Sequence, residues 1–403
     1  MKTQAIYPTS DVLGATEKTA VQAQSKATTR IHYVDNIRIF LTILVVLHHL
    51  MIIYSGSGGW IFHEGRQDDI TSALGNWFTS VNHSYFMGLF LLVSAYFVPG
   101  SYDRKGYIQF LKDRLVRLGI PLAVYSWILR PLFIYAGYHQ SEWPGVSFPD
   151  WYAHQYFRDY GFIGGGPLWF IEALLIFSLL YTLWRLFIPS RSQGPARASS
   201  FPSHAAIALF ALLLGVASFI VRLWFPSDTS FQPLNLQLAD FAQYIALFIV
   251  GLVAYRRNWL ECLPEKTGKT WLTIGVLLII LFPPIAILGG AIENDAPFKG
   301  GWQWQALLAA MWQSFLCVSM CIGVIYIFRR RFNRQGVLGS FLSRNAYTVY
   351  LIHEPVITFT AVAVVGLTLY PLLKFGLVAL VAIPLCFGLS SLIRRLPYTQ
   401  RIL

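Results

Sequence analysis

The sequence is short of charge, and of acid above all. Only 12% of its 403 residues are Asp, Glu, Lys or Arg, and 19 acids stand against 31 bases. With 55% hydrophobic residues and a mean hydropathy of +0.52, the chain is too apolar for a soluble protein with one or two cores. Residues 1–30 are rich in Thr, Ala, Gln and Ser and lack an apolar run, so no cleaved signal is expected there, only a disordered cytoplasmic tail. Cysteine is scarce. Cys262, Cys317, Cys321 and Cys386 fall in apolar runs or in a basic segment, so no outer disulfide is expected. Cys317 and Cys321 share a helix face at i, i+4 without a third ligand nearby in sequence, which favours packing, and no metal site is expected.

What the chain does have is apolar runs of membrane length, recurring about ten times. They lie near 37–54, 82–99, 118–137, 167–188, 205–225, 239–255, 271–289, 303–328, 345–365 and 371–393, the run at 118–137 being interrupted by Arg130 and Pro131. The expected fold is therefore all-α: a polytopic integral membrane protein of about 10 transmembrane helices with both termini cytoplasmic. Basic residues should alternate between rich inner and poor outer segments. With the N-terminus inside, 25 of the 31 bases fall in inner segments, and only Arg66, Arg130, Arg158, Arg222, Lys299 and Lys374 fall outside. The formal charge of +12 is thus mainly a topology signal, the partner it implies is the lipid bilayer, and no nucleic acid need be invoked. The stretch 189–204, "PSRSQGPARASSFPSH", reads as a second flexible inner segment. The spanning region is 31–395, followed by a short cytoplasmic end at 396–403.

Ionisable residues inside spanning helices cost a few kcal/mol on insertion scales, so they face the bundle interior and mark a pathway or a site. The first run, "DNIRIFLTILVVLHHLMIIY", carries Arg38 and, eleven residues on, His49. Eleven residues are almost three turns, so both side chains share a face about 16 Å apart along the axis, while His48 is turned aside. A snorkelling anchor would also explain Arg38, and an interhelical hydrogen bond would explain His49. The ninth run, "SRNAYTVYLIHEPV", brings His353 to a depth similar to that of His49; Glu354 and the bond-breaking Pro355 follow it. On the outer side "GGGPLWFIEALLIF" places Trp169 and Glu172 near the membrane surface, with His83 of "VNHSYFMGLF" at a similar level. The interface is where aromatic belts put such residues in any case. In "FLKDRLVRLGIP", read as a short amphipathic cytoplasmic segment, Arg114 and Arg117 stand at i, i+3. Paired guanidiniums of this kind clamp phosphates, and they also meet anionic headgroups.

Taken in order of depth, these are arginines inside, two histidines in the middle, and a glutamate with aromatics outside. At this point the chain resembles membrane-bound acyltransferase family 3, in particular its glucan biosynthesis protein C type, over roughly residues 32–395. The family's Arg, ten residues, then His matches Arg38 and His49. Its cytoplasmic Arg-x-x-Arg before proline matches Arg114, Arg117 and Pro121. Its Leu-Trp-Phe element matches 168–170, and its late Tyr-x-x-His element matches Tyr350 and His353. The Phe-rich run closing the second helix, "GLFLLVSAYF", has Ala95 where the family carries glycine.

The resemblance implies transfer of an acyl group, acetyl or succinyl, from cytoplasmic acyl-coenzyme A to a hydroxyl of an extracytoplasmic carbohydrate such as a glucan. No bound cofactor is expected; acyl-coenzyme A is the donor substrate. On this reading the catalytic residues are His49, Arg38 and His353. Arg38, Arg114 and Arg117 hold the donor, and Glu172, Trp169 and His83 line the acceptor side. The protein would sit in the cell membrane, the inner membrane in a Gram-negative bacterium. The rival class is a multi-span transporter or exporter of a glycan or small solute, in which mid-membrane histidines form a relay. Such proteins often show two related halves, and no convincing internal repeat stands out here.

Overall fold

The structure, a computed structural model, describes residues 31–64, 68–161, 166–188, 200–231, 234 and 236–403. The expected tail, most of the 189–204 stretch, and Gly164 and Gly165 of the glycine run lie outside the described residues.

Each apolar run lies in or largely overlaps a long helix. These are α1 His32–Ser55, α2 Asp69–Tyr96, α3 Val98–Gly137, α4 Trp169–Phe187 and α5 His204–Arg222, then α6 Phe241–Arg256, α7 Glu265–Leu288, α8 Trp304–Arg331, α9 Val337–Ala363 and α10 Pro371–Ile393. Among the described residues eight of the helical spans are long and apolar enough to cross a membrane; α2 and α9 match them in length but are more polar. Among the described residues β-structure is limited to one isolated bridge, Phe231 to Leu236.

Two boundaries differ from the hydropathy reading. Helix α2 starts at Asp69, well before the apolar run at 82, because the Asp68 carboxylate accepts the Thr71 backbone N–H at 2.9 Å and caps it. Its polar first turns pack on the end of α1: Ser72 Oγ donates to the Ser55 carbonyl at 3.1 Å. At the same contact a Cβ on Gly75 would lie 2.2 Å from Ser55 Cβ, so only glycine lets the two helices touch. The basic segment at 110–121 is not a separate surface helix: α3 is kinked at Gly106, where φ is +73°, and beyond that kink the segment runs on into the apolar run at 118–137. The chain stays helical past Pro121 and Arg130–Pro131 by way of π-helical turns at Leu115–Gly119 and Tyr125–Leu129. Wide turns of that kind accommodate residues lacking an amide proton, and they recur at functional sites.

Helix α1 is central. It packs against α2 and α8 on one side and against α9 and α10 on the other, while α5, α6 and α7 complete the far layer and α3 packs on α4. The close α2–α6 contact explains the Ala95 substitution: Gly251 of α6 faces it, and a Cβ there would come within 2.7 Å of Ala95 Cβ and 2.4 Å of the Leu92 carbonyl. The small residue that the contact needs is on the partner helix. Cys317 lies in the α2–α8 contact, its sulfur 3.2 Å from where a Gly88 Cβ would stand. Helix α7 has only 11% of its apolar span buried, which suits a lipid-facing helix.

Candidate active site

Where α1 meets α9, His49 Nδ1 lies 3.0 Å from His353 Nε2, with the rings nearly parallel at 17°. The other nitrogen of His353, Nδ1, lies 2.7 Å from the Tyr350 carbonyl one turn earlier in α9. A carbonyl only accepts, so His353 Nδ1 carries its proton. Neutral His353 then accepts at Nε2, and the proton shared with His49 belongs to His49 Nδ1. His49 is thereby held as the tautomer whose Nε2 bears a lone pair, and among the described residues that atom has no hydrogen-bond partner. Trp60, from the loop after α1, stacks on the His49 ring with centroids 4.4 Å apart.

A second buried pair braces α9 behind this dyad. The carboxylate of Glu354, 1% exposed, lies 3.8 Å from Arg130 Nε of α3, and the Arg130 guanidinium covers the Tyr160 ring at 4.9 Å. Gly166 completes the contact. Its φ is +43°, and a Cβ there would meet Arg130 Nε at 3.0 Å and Glu354 Oε2 at 3.2 Å, so glycine is required twice over. Tyr350 OH donates to the Pro167 carbonyl, fixing the start of α4 to α9.

His48, on the adjacent face of α1, is buried against Phe86 at 4.9 Å and lies beside His83 of α2, centroids 6.5 Å apart. His83 Nε2 in turn contacts Asp240 Oδ2 at 2.8 Å. Asp240 also accepts from Arg222 Nη2 and Gln313 Nε2, both at 2.9 Å. Trp169 stacks on Tyr244, one turn beyond Asp240, at 5.0 Å. Glu172 is 3% exposed, and among the described residues neither of its oxygens has a hydrogen-bond partner.

The face of the bundle where α1 begins is rich in arginine. Arg38 lies 3.6 Å from Asp35 and covers the Phe97 ring at 4.9 Å; Arg114 covers Phe110 at the same distance. Arg114 stands within electrostatic reach of both Arg38 and Arg117, so the three expected donor residues share one region. Arg344 and Arg394 extend it: burial and repulsion from Arg344 and Arg117 lower the Arg394 guanidinium from its ordinary range. Nearby, Arg185 and Arg256 converge on Asp103 at 3.2 and 2.7 Å, tying α3, α4 and α6.

The structure thus joins His49 to His353, groups Arg38, Arg114 and Arg117, and sets Trp169 and His83 near Asp240. Sequence reasoning missed Asp240, Arg222, Gln313 and the Arg130–Glu354 pair. The available signal was an ionisable residue at the edge of an apolar run, but each partner is remote in sequence. His83 and Asp240 are 157 residues apart.

The chain resembles known proteins over most of its length. The chain is 23% identical over 347 residues to glucans biosynthesis protein C of Escherichia coli strain K12 / DH10B, covering 82% of this chain and 83% of the relative. It is 24% identical over 353 residues to the protein of the same name from Salmonella gallinarum strain 287/91, with the same coverage. No solved structure matches the chain. The family model described as an acyltransferase domain, Acyl_transf_3, matches residues 31–391, nearly the whole helical bundle, so this multi-pass membrane protein belongs to acyltransferase family 3 and is an acyltransferase.

Proposed function

We propose that the protein is an O-acyltransferase moving a short acyl group, acetyl or succinyl, from cytoplasmic acyl-coenzyme A to a hydroxyl of an extracytoplasmic carbohydrate, a glucan first of all. One observation carries the chemistry: the His353 contact leaves His49 Nε2 as the free lone pair of a neutral imidazole inside the bundle. The name of the relatives, glucans biosynthesis protein C, supports the class of acceptor. Their Gram-negative sources support an inner-membrane location.

Hydroxyls are poor nucleophiles at neutral pH, and a positioned imidazole is the usual remedy. Arg38, Arg114 and Arg117 would hold the phosphates of the coenzyme by charge-assisted bonds, and the flexible arm of the donor would then reach along α1 to His49. Two routes are open to His49 Nε2: it takes the acceptor's proton as the hydroxyl oxygen attacks the thioester carbon and passes a proton to the departing sulfur as the C–S bond breaks, or it first carries the acyl group itself. His353 has no N–H to offer an oxyanion in this tautomer. Its part is to receive His49 Nδ1–H and hold the ring, the orienting role familiar from catalytic triads. Trp169, His83 and Glu172 would line the acceptor's approach.

The test uses purified protein in liposomes with radiolabelled acetyl- or succinyl-coenzyme A and a periplasmic glucan fraction. Label should enter glucan with wild type and not with His49→Ala of equal yield and folding. Substantial transfer by His49→Ala removes the residue from the mechanism, and a wild type that labels nothing from either donor removes the substrate assignment.

A further inference from the structure

The buried charges around Asp240 equip a second imidazole, that of His83, at the histidine cluster. Asp240 is 1% exposed and receives N–H groups from Arg222 and Gln313, while Gln313 Oε1 accepts from Arg222 Nη2. That closed set fixes both the orientation of the Gln313 amide and the ionised state of Asp240, since a carboxylate with two other donors accepts a third. The proton in the 2.8 Å contact therefore sits on His83 Nε2, and His83 Nδ1 carries a lone pair without a hydrogen-bond partner among the described residues. The His83 side chain is 36% exposed, whereas Asp240 behind it is closed off.

Two imidazoles with free lone pairs thus both neighbour His48, whose ring lies 5.4 Å from that of His49 and 6.5 Å from that of His83. Their partners differ. His49 leans on a neutral imidazole, which does little to hold a captured proton. His83 leans on a carboxylate, so an imidazolium formed there is paired with an anion the moment it forms. His83 is also linked to the ends of α5 and α6 remote from the arginine-rich face, through Arg222 and Asp240.

We propose that transfer proceeds in two half-reactions, with His49 receiving the acyl group and His83, held by Asp240, acting as the base for the acceptor hydroxyl. The inference rests on the acyl-coenzyme A and carbohydrate reading above and decides how that site divides its labour. In the first half-reaction His49 Nε2 attacks the thioester carbon, the C–S bond breaks, and sulfur leaves as a thiolate from a cationic acyl-imidazole. In the second, the acceptor oxygen attacks the acyl carbon, its proton passes to His83 Nδ1, and the C–N bond breaks to return neutral His49. His83 gives its proton to water and the thiolate takes one from water, so the sum is thioester plus hydroxyl giving ester plus thiol. Asp240, with Arg222 and Gln313, is a positioning group.

The test pairs two acceptors. Hydroxylamine captures an activated acyl group without a base, whereas a sugar hydroxyl needs one. In proteoliposomes with radiolabelled acetyl- or succinyl-coenzyme A, His83→Gln keeps a donor for Asp240 but no base. It should lower label transfer to the glucan fraction by about 10²- to 10⁴-fold, the usual worth of a general base. Acyl-hydroxamate formation and thiol release above the direct reaction of hydroxylamine with the thioester, measured without protein, should stay within about twofold of wild type, while His49→Ala falls to that background. Asp240→Asn should follow His83→Gln. If His83→Gln loses hydroxamate as severely as glucan ester, or transfers to glucan normally, the assignment is overturned. A wild type that forms hydroxamate but no glucan ester overturns the carbohydrate reading and with it the role of His83. One that releases no thiol from either donor overturns the proposed function at its root.

Discussion

Replacing His353 by alanine tests whether the His49 tautomer matters. The substitution removes the acceptor 3.0 Å from His49 Nδ1 and leaves a buried N–H unsatisfied. A lost hydrogen bond is worth about 0.5–1.5 kcal/mol, and a stranded buried donor costs about 1–3 kcal/mol. If the imidazole escapes that cost by turning or by moving its proton to Nε2, the productive tautomer becomes the minor one by a similar energy. At about 1.4 kcal/mol per factor of ten, kcat/KM should fall roughly 10- to 100-fold. His353→Gln can offer its side-chain carbonyl to Nδ1–H and should recover much of the loss. The double variant His49→Ala/His353→Ala should be no worse than His49→Ala alone, because residues acting as a unit are not additive. The assay is the initial rate of acyl transfer in proteoliposomes, with thermal unfolding in detergent to confirm folding. Wild-type kcat/KM in a folded His353→Ala would refute the reasoning, and additive losses in the double variant would show that the two rings act separately.

Three further outcomes follow from the same geometry. Gly166→Ala forces a Cβ against Arg130 and Glu354 at a φ of +43° and should cost more than about 1 kcal/mol, read as a lower midpoint of thermal unfolding; an unchanged midpoint would contradict the contact. Arg130→Met strands the buried Glu354 carboxylate and should destabilise by about 3–5 kcal/mol, whereas Arg130→Met/Glu354→Leu should recover most of it, a comparison made by chemical unfolding of both variants. Arg114→Ala and Arg117→Ala should raise KM for acyl-coenzyme A more than they lower kcat, with a weaker dependence on salt than wild type; steady-state kinetics at two ionic strengths would expose a pure kcat defect, which would place the arginines elsewhere in the mechanism.

The sequence by itself determined the helical class, the approximate place of the apolar runs, the face shared by Arg38 and His49, and the motifs of the family. These are local properties: hydropathy over twenty residues and a turn of 3.6 residues are written in contiguous chain. Where local signals failed, the cause was equally physical. Helix α2 begins with polar turns that an aspartate cap and the end of α1 stabilise, and α3 runs on through prolines by widening its turns, neither of which leaves a trace in hydropathy. Tertiary structure alone decided which atom of each histidine is free. That follows from His353 meeting His49 across 304 residues and from Asp240 meeting His83 across 157. A neutral imidazole keeps its lone pair at a fixed nitrogen only when something occupies the other, and for His49 and His83 that occupant comes from another helix.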